Sequence, residues 1–272
     1  MPKFSIITPV RIGNGPSDRA DRAERFLDCI KSVHNQTFKD FEWIVLNDGS
    51  PAEFDWSKVF NTSSDINLVN LPHNERIVAL NAGLRLAKGE WIFFLDSDDE
   101  YKPNYLERVN YWIGKYPDEK MFNFGAIYAH DDETFTFRDP FTPKRKKKGH
   151  VIFGGGNIVN GTFVFHSSIY EDIGGYPGDE TGWIRNVDCS ELNYGGVRDL
   201  YVGSPYDFSA AAQLEIPELR QFYMVNHVAE PHKIVQELGN PWGNDMFLFF
   251  KYTRKYHSRA IKEYYLIVHP KK

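Results

Sequence analysis

Along the N-terminal third of the chain, short apolar runs alternate with segments whose apolar positions recur every three or four residues. This is the pattern of β-strands joined by amphipathic helices. Residues 4–10, FSIITPV, predict a first strand buried on both faces. Phe26, Leu27, Ile30 and Val33 then fall on one face of a helix. The same reading predicts strands at 41–46, 66–71 and 91–95 and a helix at 77–86 closed by Gly89. Such alternation implies an α/β fold with a Rossmann-like, mostly parallel central sheet flanked by helices.

Beyond a helix at 105–113 the pattern becomes mixed α+β. Strands are predicted at 121–129 and 134–138, joined by an Asp131-Asp132 turn, and another at 161–165. A short helix at 168–173 stops at Gly174-Gly175, and a terminal helix carrying aromatics and Lys/Arg is predicted at 245–261. The run PKRKKKG at 143–149 reads as a basic exposed loop, with Gly154-Gly155-Gly156 close behind it. The organisation expected is one domain in two halves, 1–115 and 116–240, with a helical extension at 241–272.

Composition narrows the function classes. With 272 residues, 42% of them hydrophobic and 25% charged, the chain can build a sizeable core. A net charge of −5 argues against a nucleic-acid binder, whose affinity would come from surplus Lys and Arg. Cys29 and Cys189 are far apart and suggest neither a disulfide framework nor a metal knuckle, which points to a reducing compartment. The opening MPKFSIITPV is no signal peptide and no stretch approaches about 20 apolar residues, so a cytoplasmic chain without a membrane span is expected. Peripheral membrane association stays open.

The chemistry gathers where predicted strands end. In open α/β sheets ligands bind outside the carboxyl ends of the strands. There the first strand delivers Thr8-Pro9-Val10-Arg11, the second Asn47-Asp48-Gly49-Ser50, and the fourth Asp96-Ser97-Asp98-Asp99-Glu100. Carboxylates this close repel one another unless a cation compensates. Mg²⁺ and Mn²⁺, which take oxygen ligands and leave positions for substrate phosphates, suit Asp96 and Asp98. The plainer reading is that these acidic residues only cap the next helix. An EF-hand loop would need Gly where Tyr101 stands, and a haloacid-dehalogenase motif would follow the first strand rather than the fourth.

Taken in order, FSIITPV, SVHNQTF, FEWIVLNDGS and ALNAGLRLAKGEWIFFLDSDDEYKP resemble a family 2 glycosyltransferase of the GT-A fold over roughly residues 3–110. GTFVFHSSIYEDIGGYP is a weaker echo. The resemblance implies Thr8, with Pro9 and Val10, and Asp48 against the nucleotide base and ribose. It implies Asp96, with Ser97, and Asp98 at ribose, metal and diphosphate, with Asp99 in support and Arg76 near base or phosphate. The chain departs from the family pattern at Val10, where a base-stacking aromatic is common, and at Asn47, which replaces the first Asp of DDGS. For the general base the nearest match is VDCSEL, with Asp188 first and Glu191 second; Asp179 and Glu180 are further candidates. Asp188 as a mere N-cap, with Glu191 completing a capping box, is the alternative. A late His contact to metal or diphosphate would come from His227 or His232, with His166 a weaker option. Trp183 and Trp242 are candidate sugar-stacking residues.

The function implied is inverting, metal-dependent transfer of a sugar from a nucleoside-diphosphate sugar to a hydroxyl-bearing acceptor such as a glycan. A sugar-nucleotide nucleotidyltransferase, for which Arg11-Ile12-Gly13-Asn14-Gly15 is a faint imitation of the usual loop, and a non-catalytic sugar-binding module are the alternatives.

Overall fold

The computed structural model describes residues 1–13, 21–50, 54–60, 65–71, 76–141, 144–145, 151–152, 159–176, 248–249, 252–253 and 255–269. In chain order its elements are β1 (Phe4–Val10), α1 (Arg22–His34), β2 (Phe41–Asp48), β3 (Asp65–Leu71), α2 (Arg76–Leu86), β4 (Trp91–Phe94), β5 (Glu100–Tyr101) and α3 (Tyr105–Lys115). There follow β6 (Met121–Ala129), β7 (Phe135–Arg138), β8 (Lys144–Arg145), β9 (Val151–Ile152), β10 (Phe163–His166), α4 (Ser167–Ile173) and β11 (Arg259–Val268). Short 3₁₀ turns lie at Trp56–Phe60 and Asn160–Thr162.

β3, β2, β1 and β4 are parallel neighbours in that order. Side chains of β1 alternate between two cores. Phe4, Ile6 and Val10 pack with Phe26, Cys29, Ile30 and Val33 of α1, whereas Ile7 packs with Ile44, Leu46, Leu80 and Leu84 on the α2 side. Cover on both faces is why β1 reads as a mostly apolar run, with Ser5 and Thr8 buried among the apolar residues. The α2 helix lies so close that a Cβ on Gly83 would come within 2.4 Å of Ile7 Cγ2 and 2.8 Å of Leu46 Cδ1.

Past β4 the sheet changes direction three times. β10 runs antiparallel to β4 and to β6, which restores the direction of β4 in β6. β11 is parallel to β6, and the short β5 closes antiparallel on β11. β7 pairs with the far end of β6, beyond β10. Four strand spacings of about 4.8 Å separate β4 from β5 in this order. Yet only residues 95–99 connect them, and Asp99 N–H donates back to Asp96 C=O in a turn. A flat sheet cannot satisfy both, so the sheet curls.

Tyr105 fills the inside of the curl. Its ring contacts Phe93 at 5.8 Å, Phe124 at 5.3 Å, Tyr101 at 4.7 Å and Tyr265 at 5.3 Å, one residue from each of β4, β6, β5 and β11. Its hydroxyl donates to Gly161 C=O at 3.3 Å. Burial pushes that phenol well above its ordinary pKa, so it remains a neutral donor.

Two expectations need correction. The terminal helix predicted at 245–261 is helical at Leu248, Phe249, Tyr252 and Thr253, but from Arg259 the chain is strand β11, inside the sheet. A helical extension at 241–272 therefore misplaces the strand. Register shifts between Ile261 and Tyr264 and again before Leu266 break the alternation that would have marked it. Within the basic run, Lys144 and Arg145 pair with Ile152 and Val151 as a two-residue ladder rather than an open loop.

Because Tyr105 joins four strands, Tyr105→Ala should lower the unfolding free energy by about 3–5 kcal/mol, the range for a large buried aromatic. Tyr105→Phe should cost about 1 kcal/mol, for the hydroxyl alone. Urea denaturation of both variants measures the difference.

Candidate functional site

The carboxyl ends of β1, β2 and β4 lie along one edge of the sheet. There Asp96, Asp98 and Asp99 bring carboxylate oxygens within 4.8 Å of one another. Asp99 is buried at 4% exposure, while Asp96 and Asp98 are half-buried. At an effective dielectric of about 20, each such like-charge pair costs roughly 3–4 kcal/mol. Among the described residues Arg76, the first residue of α2, pairs its guanidinium with Asp96.

The loop is held from beneath and from both flanks. Below it, Cys29 of α1 is buried, and its Sγ donates to Asp96 C=O at 3.7 Å. Burial first, then the Asp99, Asp98, Glu100 and Asp96 charges, push this thiol well above its ordinary pKa, so it stays protonated and able to donate. On one flank the end of α1 grips the chain that leaves the loop. Ser32 Oγ accepts from Tyr101 N–H at 3.2 Å, and Thr37 N–H donates to Pro103 C=O at 2.8 Å. Between them Gln36, 1% exposed, donates to Ser32 C=O at 3.1 Å and Lys102 C=O at 2.8 Å and accepts from Leu106 N–H at 3.1 Å. Gln36 thereby caps α3, whose own N-cap Asn104 makes no side-chain cap bond.

The other flank is β11. Its pairing with β5 and the bond from Lys102 N–H to Tyr265 C=O at 2.8 Å continue into His269, just past the strand. His269 Nε2 lies 2.6 Å from Glu100 Oε1, and its backbone N–H donates to Asp99 Oδ1 at 3.4 Å.

At the end of β2, Gly49 takes φ 66° and completes the turn that Asn47 organises. Asn47 Oδ1 accepts from Ser50 N–H at 3.0 Å, and its Nδ2 donates to Asn70 Oδ1 at 2.8 Å. An Asp at this position could keep the Ser50 bond but could not donate to Asn70 Oδ1. Ser50 Oγ in turn accepts from Ile12 N–H at 2.8 Å, tying the first two strand ends together. Asp48 is buried at 7% exposure on this edge.

The remaining expected residues sort as follows. Thr8 is fully buried, with its hydroxyl accepting from Trp43 Nε1 at 3.0 Å, so its side chain supports the sheet from within. Pro9 is buried and Val10 belongs to the α1-side core, whereas Ser97, between Asp96 and Asp98 in sequence, is half-buried. His166 stands beside Trp91, at the end of β4 opposite Asp96, and its Nδ1 accepts from Ser168 N–H as the cap of α4. It therefore stands at the far end of β4 from the acidic cluster. Asp179, Glu180, Trp183, Asp188, Glu191, His227, His232 and Trp242 lie outside the described residues. Sequence reading missed His269 and the bracing role of Gln36; Gln36 stood inside the quoted SVHNQTF motif, but His269 is 169 residues from its partner Glu100 and carried no local signal.

Residues 19–174, more than half the chain, match the family described as Glycosyl transferase family 2. The chain belongs to glycosyltransferase family 2. Among its relatives, EpsH of Bacillus subtilis (strain 168), a glycosyltransferase by name, is 31% identical over 126 residues, 46% of this chain and 37% of that protein. A PGL/p-HBAD biosynthesis glycosyltransferase of Mycobacterium bovis (strain BCG / Pasteur 1173P2) is 32% identical over 119 residues, 42% of this chain and 43% of that protein. The chain thus spans less than half the length of these curated relatives. In structure it is similar to S. aureus TarS 1-349 in complex with UDP, at a TM-score of 0.52 and 15% identity, covering 98% of this chain and 60% of that one. The architecture is the α/β GT-A fold of this family.

Gln36→Met keeps the side-chain length but removes the amide: Leu106 N–H is stranded, while Lys102 C=O retains the bond from Tyr105 N–H. Loss of about 1–3 kcal/mol in unfolding free energy is expected, measured by chemical denaturation.

Proposed function

We propose that this family 2 glycosyltransferase moves one sugar from a nucleoside-diphosphate donor to a hydroxyl-bearing acceptor, a glycan or a similar alcohol, with inversion at the anomeric carbon. The observation that carries the reading is the trio Asp96, Asp98 and Asp99, with oxygens gathered within 4.8 Å on the sheet edge where GT-A chains of this architecture bind nucleotide. An all-carboxylate donor set is hard and oxygen-only, which fits Mn²⁺ or Mg²⁺. Asp96 and Asp98 would hold the ion, and His227 is the late contact we assign to metal or diphosphate. When bound, the ion offsets the negative charge that grows on the departing diphosphate.

The protein's own residues do the rest. Asp48, the end of β1 at Pro9 and Val10, and Ser97 receive the nucleoside, with Thr8 shaping the floor through Trp43. Arg76 is positioned beside Asp96 to meet phosphate. Asp188 takes the proton of the acceptor hydroxyl as its oxygen forms the new bond to the anomeric carbon and the bond to diphosphate breaks; Glu191 is the second candidate. The division of labour we assign is nucleotide recognition to residues 1–115 and acceptor and base to 116–240. Among the described residues no helix is long and apolar enough to cross a membrane. A reducing, cytoplasmic setting accords with Cys29 buried as a thiol.

Two variants separate the roles. Asp98→Asn should weaken Mn²⁺ affinity and reduce transfer at least about 100-fold, which calorimetry and a nucleoside-diphosphate release assay measure; normal turnover at low metal would remove the metal assignment. Asp188→Asn should bind donor as the parent does and lose about 10²–10⁴-fold in turnover, the range for a general base. Full activity there would pass the role to Glu191 or another carboxylate.

A further inference from the structure

The topology brings the chain's last described residue to the acidic loop. β11 is parallel to β6, which shares the direction of β4, so His269 leaves β11 on the edge where Asp96 leaves β4. Four carboxylates stand at positions 96, 98, 99 and 100, but the cluster contains only the first three. Glu100 is drawn out of it: its Oε1 sits 2.6 Å from His269 Nε2, and because a carboxylate only accepts, the imidazole N–H is the donor. The backbone N–H of the same residue reaches Asp99 Oδ1 at 3.4 Å.

His269 can impose this arrangement because β11 is anchored along its length. At its start Arg259 donates to Glu119 at 2.6 Å, and His257 Nδ1 lies 2.8 Å from the same carboxylate. In the middle Glu263 accepts from Arg108 at 2.7 Å, Trp112 Nε1 at 3.0 Å and Tyr265 OH at 2.7 Å. Near its end the strand pairs with β5 through Leu266 and Ile267.

We propose that His269 is a positioning residue for the cation site: it withdraws Glu100 toward β11, steadies Asp99, and so leaves three carboxylates preset where four would crowd one another. This deepens the glycosyltransferase reading and rests on it for the identity of the ligand, but the preset loop is a property of the protein without ligand and can be tested separately. Outer residues that orient metal ligands typically govern affinity by about 10–100-fold, which sets the size of the effect expected.

The experiment compares the full chain with His269→Ala and His269→Gln by hydrogen exchange at residues 96–101 and by Mn²⁺ titration, with chemical denaturation as a control. Faster exchange at 96–101 in His269→Ala, Mn²⁺ affinity weakened about tenfold, partial recovery of both in His269→Gln, which retains an N–H donor, and a denaturation midpoint close to the parent's would uphold the proposal. Unaltered exchange would overturn it, and if Mn²⁺ binding nevertheless weakened, His269 would instead be a direct ligand. Should the parent chain fail to bind Mn²⁺ while exchange still responds to the substitution, the metal reading falls and the positioning role stands.

Discussion

Like charges held close together are the constraint around which this molecule is organised. The carboxylates of Asp96, Asp98 and Asp99 approach within 4.8 Å with Asp99 buried, an arrangement that a flexible loop would relax by swinging apart. It persists because the chain immediately after it is not free to move. Ser32, Gln36 and Thr37 of the α1 end grip residues 101–106, β11 grips residues 99–102, and Cys29 props Asp96 from below. Repulsion that would scatter the loop is instead available to a cation, with Arg76 answering part of it within the protein.

That arrangement also accounts for the shape of the sheet. The short connection from β4 to β5, containing its own turn, forces the sheet to curl, and the curl needs a filling. Tyr105 supplies it, and Gln36 caps the helix that Tyr105 begins. One buried amide thus links the end of α1, the exit of the acidic loop and the core of the curl. A carboxylate cluster on one edge and the aromatic core inside the curl are parts of a single mechanical assembly.

Much of this was legible in the sequence where one periodicity dominated. β1, β6 and α2 stand within a residue of where their patterns put them, since burial along nearly the whole element leaves a continuous signal. The acidic motif and the NDGS turn were legible for the same local reason. What depended on distant partners was not. β11 is interrupted by register shifts, β5 is two residues long, and Thr8 turns inward because Trp43, on the neighbouring strand, offers its indole N–H. His269 has no motif at all: its role exists only once three parallel strands agree in direction. The general base expected at Asp188 belongs to a stretch whose reading rests on the family resemblance alone.

The proposed function couples a nucleoside diphosphate to a cation at the acidic trio. The most direct measurement of that coupling is isothermal titration of the parent chain with UDP, GDP, dTDP and CDP, each with and without Mn²⁺. One nucleoside diphosphate is predicted to bind with substantial heat only when the ion is present, and in that mixture the ion should bind more tightly than it does alone. Equal affinity for the diphosphate in the presence of Mn²⁺ and of a chelator would contradict the account.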